Sequence, residues 1–372
     1  VKEGVKMPDT KLVIIGGFLG AGKTTCILRI AKKLVSLGKK VGIVTNDQGD
    51  QLVDTAFLQS ERLPVLEVTG GCFCCNFDDF AGKVKNMTAE EKPDVILAEP
   101  VGSCTDLVAT IFKPLRKDGA LQFKLSPLCI VVDPVRLKKL MLETEKSLFP
   151  NEINYLFEKQ LEEADVLLLN KTDLLTEQEV ERALVFLKGK FMGAAAIAIS
   201  AKNDLALDGL LPVILGAQAP RKSSLDIDYG TYGRAEERLG WFNSRVMLKS
   251  KVPVDFNAWI SMLMDRVKKA AADEKCEIAH LKAYLVADDD FAKASVTGID
   301  EEVDFGRKMR KKAGEVTLII NARIGMEPAR LSHIMEQALL SSCGDWGIEP
   351  KNPVTECFSP SKPNPRYRIG GA

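Results

Sequence analysis

Histidine is scarce. The 372 residues hold two, His280 and His333, which nearly excludes an imidazole-rich metal site before any motif is read. Neither sign of charge is in excess, with 51 Lys+Arg against 51 Asp+Glu. The balance therefore argues against nucleic acid or an anionic membrane as a main partner. No apolar run approaches the ~20 residues of a membrane span. Residues 1–10 are charged and lack the apolar core of a signal peptide, so a cytoplasmic protein is expected. Nine cysteines are an odd number, scattered except for one tight group. That pattern speaks against a disulfide framework and for reduced thiols, some of them able to hold metal.

What is present falls into two halves. Up to about Leu215, short Val/Ile/Leu runs (11–15, 41–45, 64–68, 94–98, 128–132, 166–169 and 195–199) alternate with amphipathic segments such as 24–37, 78–85 and 177–188. This is the pattern of an α/β domain, a mostly parallel sheet of the P-loop NTPase kind with helices on both faces. The expected domain spans 1–217, and its ligands should sit at the carboxyl ends of the strands. Residues 218–238, rich in Pro, Ser, Gly and charge, read as a linker. In 239–372 the spacing predicts strand, helix, hairpin, strand and helix, a smaller α+β domain of ferredoxin-like type. It ends in an extended tail with five prolines from Pro350 onward.

Gly17-Phe18-Leu19-Gly20-Ala21-Gly22-Lys23-Thr24 follows a predicted strand and opens a helix, the context a P-loop requires. Glycines let successive N–H groups curl around phosphate oxygens, and the helix N-terminus favours negative charge. Lys23 can reach the β- and γ-phosphates, Thr24 can ligate Mg²⁺, and Thr25 continues the binding turn. Glu99, in Glu99-Pro100-Val101-Gly102, sits where a Walker-B acid belongs, and the Gly102 N–H can meet a γ-phosphate. Asp47, after another strand, is the candidate switch acid for Mg²⁺ or the attacking water.

Asn170-Lys171-Thr172-Asp173 ends a further strand. One carboxylate, Asp173, can accept both N–H donors on the edge of guanine, whereas adenine would leave it unpaired. Asn170 can bond the other edge and the loop, and the Lys171 stem can cover the base. Ser200-Ala201-Lys202 follows the last run, where a backbone N–H can meet the guanine carbonyl. Together with the P-loop these motifs select GTP, with GDP as product.

Cys72-Phe73-Cys74-Cys75 lies between the switch and Walker-B strands. Thiolates suit Zn²⁺ and other borderline or soft ions. A tetrahedral ion would keep a fourth position for water, a client or a second copy of the chain in a homodimer. A loop of reduced thiols and a redox switch are the competing readings. Cys104 reads as a helix-start thiol rather than a fourth ligand. Cys26, Cys129 and Cys276 read as core, and His280 and His333 as structural.

The ordered set G-G-F-L-G-A-G-K-T-T, G-G-C-x-C-C, E-x-x-G and N-K-x-D resembles the CobW-like branch of P-loop GTPases, relatives of the nickel-insertion GTPases of hydrogenase and urease maturation. The likeness covers about the first 215 residues. It implies a slow GTPase acting as a metallochaperone, with Zn²⁺ or Co²⁺ on Cys72, Cys74 and Cys75 and a client metalloprotein or cofactor-assembly protein as partner. The chain departs from the family's pattern at several points. N-E-F-G becomes Asn46-Asp47-Gln48-Gly49, Glu-(Ser/Thr)-x-Gly becomes Glu99-Pro100-Val101-Gly102, and no histidine-rich tract is present. The second half matches only loosely. Rival functions are a GTPase activator of a corrinoid or other organometallic enzyme, with structural cysteines, and a thiol-redox-regulated GTPase. A P-loop kinase is disfavoured by N-K-x-D and S-A-K.

Overall fold

The structure, a computed structural model, describes residues 10–46, 63–69, 71–117, 123–142, 151–216 and 223–370, with Val53 and Leu58. The first domain carries β1 (Lys11–Gly16), β2 (Val41–Asn46), β3 (Val65–Val68), β4 (Val95–Glu99), β5 (Lys124–Leu125), β6 (Cys129–Val132), β7 (Val166–Leu169) and β8 (Ala195–Ala198). They form a parallel sheet in the order β3-β2-β4-β1-β6-β7-β8, with β5 beside β1. β2, β4, β6 and β7 are buried along their whole length. This is why they read as continuous apolar runs: helices cover both faces. Each Leu or Ile withdrawn from water there contributes roughly 1.5–3 kcal/mol. All strands point the same way, so the loops after β1, β2, β3, β4, β7 and β8 gather on one edge.

The second domain is an antiparallel sheet, β12-β11-β10-β13-β9-β14. It is built from β9 (Gly240–Val254), β10 (Ile278–Ala287), β11 (Asp290–Val296), β12 (Asp304–Arg307), β13 (Ala313–Ile324) and β14 (Ile348–Phe358). Helices Phe256–Asp273 and Pro328–Asp345 pack on it through Trp259, Leu263, Leu331 and Met335. Setting aside β11 and β12, the β9-helix-β10-β13-helix-β14 path with spatial order β14-β9-β13-β10 is the ferredoxin-like arrangement. Two strands were not anticipated. β12 is four residues long, and β14 contains Pro350 and Pro353. An edge strand tolerates proline because its outer side needs no ladder donor.

The segment expected to be a linker contains a helix, Tyr229–Glu237, capped by Asp228 and carrying the buried Tyr232. It packs on helix Asn151–Glu163, so this part of 218–238 is built into the first domain's surface. After β14 the chain returns across the first domain as a strap. Arg366 N–H donates to Cys74 O at 2.8 Å, and Ile369 N–H to Ala109 O at 2.9 Å.

Candidate nucleotide site and thiol cluster

The P-loop conformation depends on glycine at two points. Gly17 has φ +130° and a Cβ there would lie 2.3 Å from Val131 O; Gly22 has φ +94° and a Cβ would lie 2.4 Å from Asn170 Nδ2. The helix Lys23–Ser36 starts at Gly22 with no side-chain cap. Its first N–H groups therefore remain available to an anion. Thr24 Oγ1 donates to Glu99 Oε1 at 2.9 Å, and both side chains are buried. A hydroxyl and a carboxylate oxygen are the hard donors that Mg²⁺ takes, so this pair fits that ion. Gly102 packs so closely that a Cβ there would be 3.0 Å from Lys23 Nζ. Asp47 lies outside the described residues.

On the base side, Asn170 is committed to the loops. Its Nδ2 donates to Ala21 O at 2.9 Å and its Oδ1 accepts from Ala201 N–H at 3.0 Å. The Ala201 amide is thus used internally, and Asn170 links the P-loop to the Ser200-Ala201-Lys202 loop. Asp173 accepts from Ser200 Oγ at 2.5 Å and is otherwise exposed to the cavity. Lys171, at φ +56°, bonds Asp133 at 2.7 Å. Thr172 ties this loop to Ile199 O, and a Thr176–Glu179 capping box starts the next helix. These loops line one side of a cavity of about 380 Å³ with Gly20, Lys23, Thr24, Thr25 and Glu99.

The far wall of that cavity comes from the second domain and includes His280, Lys282, Lys293 and Thr297. His280, expected to be structural only, is buried at the cavity's edge. His333 is exposed on its helix. Cys26 and Cys129 are core, and burial pushes the Cys26 thiol up to about 12. Cys276 is only half-buried, contrary to the core expectation.

Cys72, Cys74 and Cys75 converge, with Sγ separations of 2.8 Å (72–74), 3.1 Å (72–75) and 4.0 Å (74–75). Tetrahedral zinc at about 2.3 Å from each sulfur separates sulfurs by about 3.8 Å, so two of these pairs would open by about 1 Å or less. Cys104, buried, lies beside them: hydrogen bonds from Cys104, then Cys74 and Cys75, hold Cys72 well below the usual thiol range. The Cys74 and Cys104 thiols are pushed up by the same sharing. Helix Phe77–Glu90 begins immediately after the loop and directs its positive end there.

Two buried amides that sequence reasoning did not single out connect these loops. Asn46, the last residue of β2, donates to Val68 O (2.9 Å) and Gly71 O (2.8 Å) and accepts from Phe73 N–H (2.8 Å). Gln160 donates to Gly102 O at 3.0 Å and to Cys104 O at 2.8 Å. Asn46 stood next to the candidate switch acid, which was the one available signal. Gln160 offers none, being a lone amide in an amphipathic helix.

A parallel sheet with a glycine phosphate loop, a hydroxyl–carboxylate pair and an N-K-x-D loop at one edge defines a P-loop nucleotide-binding protein. The chain belongs to the family described as CobW/HypB/UreG, nucleotide-binding domain, which matches residues 11–197. A zinc chaperone CobW from Sinorhizobium sp is 32% identical over 192 residues, 46% of this chain and 52% of that protein. The zinc chaperone YeiR of Escherichia coli is 32% identical over 182 residues, 47% of this chain and 50% of that protein. The chain thus spans about half the length of these relatives. Among solved structures, nickel-bound HypB from Helicobacter pylori is 17% identical, with a TM-score of 0.40 over 58% of this chain and 93% of that one. No helix among the described residues is long and apolar enough to cross a membrane.

Proposed function

We propose that this protein binds GTP with Mg²⁺, hydrolyses it slowly, and uses the nucleotide state to control a transition metal held by Cys72, Cys74 and Cys75 for transfer to a client protein. The observation that carries the reading is the Asn46 triad of hydrogen bonds, which fixes the thiol loop to the end of the switch strand. Family membership and the zinc-chaperone names of the relatives support the same reading. Zn²⁺ is the first candidate for the cargo and Co²⁺ the second, since both accept thiolates. Nine free cysteines suit a reducing compartment such as the cytoplasm.

Lys23 and the P-loop amides hold the phosphates, and Thr24 and Glu99, with Asp47 from the switch, hold Mg²⁺. That ion, when bound, offsets charge on the β- and γ-phosphates. Gly102 senses whether the γ-phosphate is present. Among the described residues lining the cavity there is neither glutamine nor arginine. Such groups supply much of the rate in fast GTPases, and slow turnover is the expected outcome for this wall.

Calorimetric titration with GTP and ATP tests the assignment. GTP should bind at least about tenfold tighter, a difference of ~1.4 kcal/mol, because adenine cannot donate to Asp173. Asp173→Asn should lose GTP and gain xanthosine triphosphate. Equal affinity of the parent protein for ATP and GTP would sink the reading.

A further inference from the structure

From the sequence Cys104 reads as a helix-start thiol, but packing sets it against the other three cysteines. Its thiol shares hydrogen bonds with Cys72 and Cys74. These are the two sulfurs that also meet Cys75, at 3.1 Å and 4.0 Å. Cys72, Cys74 and Cys104 are buried and Cys75 is half-buried, so Cys104 stands on the inner side of the cluster. Its backbone is held on both sides: the Cys104 N–H donates to Val101 O at 3.0 Å, and its carbonyl accepts from Gln160 Nε2 at 2.8 Å.

We propose that Cys104 is the fourth ligand of the metal at Cys72, Cys74 and Cys75, making a four-thiolate site. The inference rests on the metal-binding reading above and names the residue that completes it.

The wall behind Cys104 has the chemistry such a site needs. Four thiolates on a divalent ion leave negative charge in excess, and hydrogen-bond donors around the sulfurs offset it. Tyr232, 1% exposed, accepts from Thr105 N–H at 3.3 Å, which leaves its own proton to donate. Its phenol is close enough to feel the charges of Cys104, Cys74 and Cys72. Ser103 Oγ and Glu236 Oε2 are buried and have no hydrogen-bond partner, a state in which buried polar atoms are seldom left. Glu236 is 2% exposed and faces Ser103 and Cys72. A carboxyl so deeply buried keeps its proton and is an O–H donor. Three O–H groups turned toward thiols, which are weak acceptors, gain full partners when those sulfurs carry a metal. Cys104 lies outside the C-x-C-C motif, two residues after Gly102. Gln160 Nε2 bridges the Gly102 and Cys104 carbonyls, so the fourth sulfur belongs to the turn that packs on Lys23.

The test is X-ray absorption at the zinc edge on the reduced, Zn²⁺-loaded protein and on Cys104→Ala and Cys104→Ser, beside a Co²⁺ titration of each. Melting temperature without metal reports folding. The parent should show four sulfurs at about 2.3 Å, and each variant three sulfurs with one lighter atom. Both variants should bind Co²⁺ about tenfold or more weakly. They should also lose about a quarter of the thiolate-to-metal absorption at saturation, one thiolate of four. Three sulfurs in the parent would overturn the proposal without needing a variant that folds. Four sulfurs retained in a folded Cys104 variant would overturn it as well, because the fourth would then come from elsewhere. A parent that binds neither Zn²⁺ nor Co²⁺ through its thiols would instead remove the metal-binding reading on which the proposal rests.

Discussion

Glu163 shows how one buried group sets a pH response. Its carboxyl is fully buried at the end of helix Asn151–Glu163, accepting from Thr105 Oγ1 at 3.2 Å and Val108 N–H at 3.3 Å. Burial, then the charge of Asp106, pushes its pKa from the usual 4.5 up to about 8. The folded protein therefore holds this proton through a range in which the unfolded chain releases it. Stability from this group is complete below about pH 4.5 and is lost as pH rises toward 8, by on the order of a few kcal/mol. Glu163→Gln remains neutral throughout. Its melting temperature should fall less than the parent's between pH 5 and pH 8.5, whatever the offset between the two proteins. Parallel curves would show that Glu163 is ionised in the fold. Glu236, also pushed up to about 8 by burial, keeps part of the slope in both proteins.

Among the elements, the strap after β14 lies against the thiol loop. The Asn364 N–H bonds the Cys75 thiol, and Arg366 N–H donates to Cys74 O. Tyr367 packs edge-on against Phe77 at 5.2 Å, and Arg368 anchors the end on buried Asp106 at 2.7 Å and on Leu225 O at 2.9 Å. Arg368→Ala leaves Asp106 without its cation, which loosens this end of the strap. Metal should then be removed by a chelator faster than from the parent, by roughly tenfold for ~1.4 kcal/mol of lost anchoring. Identical removal rates would mean that the strap does not gate the cluster.

The strap also marks the limit of what the sequence makes legible. The parallel strands and the P-loop, N-K-x-D and C-x-C-C motifs are local patterns, since each depends on residues adjacent in the chain. β14 was hidden by Pro350 and Pro353, and helix Tyr229–Glu237 by the Gly- and Ser-rich composition around it. Its burial comes from Tyr232 meeting the Thr105 N–H at 3.3 Å, a contact between distant segments. The roles of Asn46 and Gln160, and the placement of His280, Lys282 and Lys293, likewise exist only once the domains are packed. No local period encodes them.

At the scale of the whole molecule, two domains share one seam. The candidate nucleotide site and the thiol cluster lie at the same sheet edge, joined by Asn46 on the switch side and by Gln160 between Gly102 and Cys104. If the γ-phosphate moves Gly102 or the switch, these amides transmit the shift to the thiols. Linkage then requires the metal to alter nucleotide affinity by the same factor, typically 5–150-fold for about 1–3 kcal/mol of coupling.

The most direct measurement is a Co²⁺ titration of the reduced protein, followed by thiolate-to-metal absorption without nucleotide, with GDP, and with a non-hydrolysable GTP analogue. Cys→Ser variants at 72, 74 and 75 should abolish the absorption. In the parent, the GDP and GTP-analogue curves should differ in affinity by at least about fivefold, and Asn46→Ala should bring them together while metal still binds. Superimposable curves in all three nucleotide states of the parent would contradict nucleotide-controlled metal handling and leave a GTP-binding protein that merely carries a thiol site.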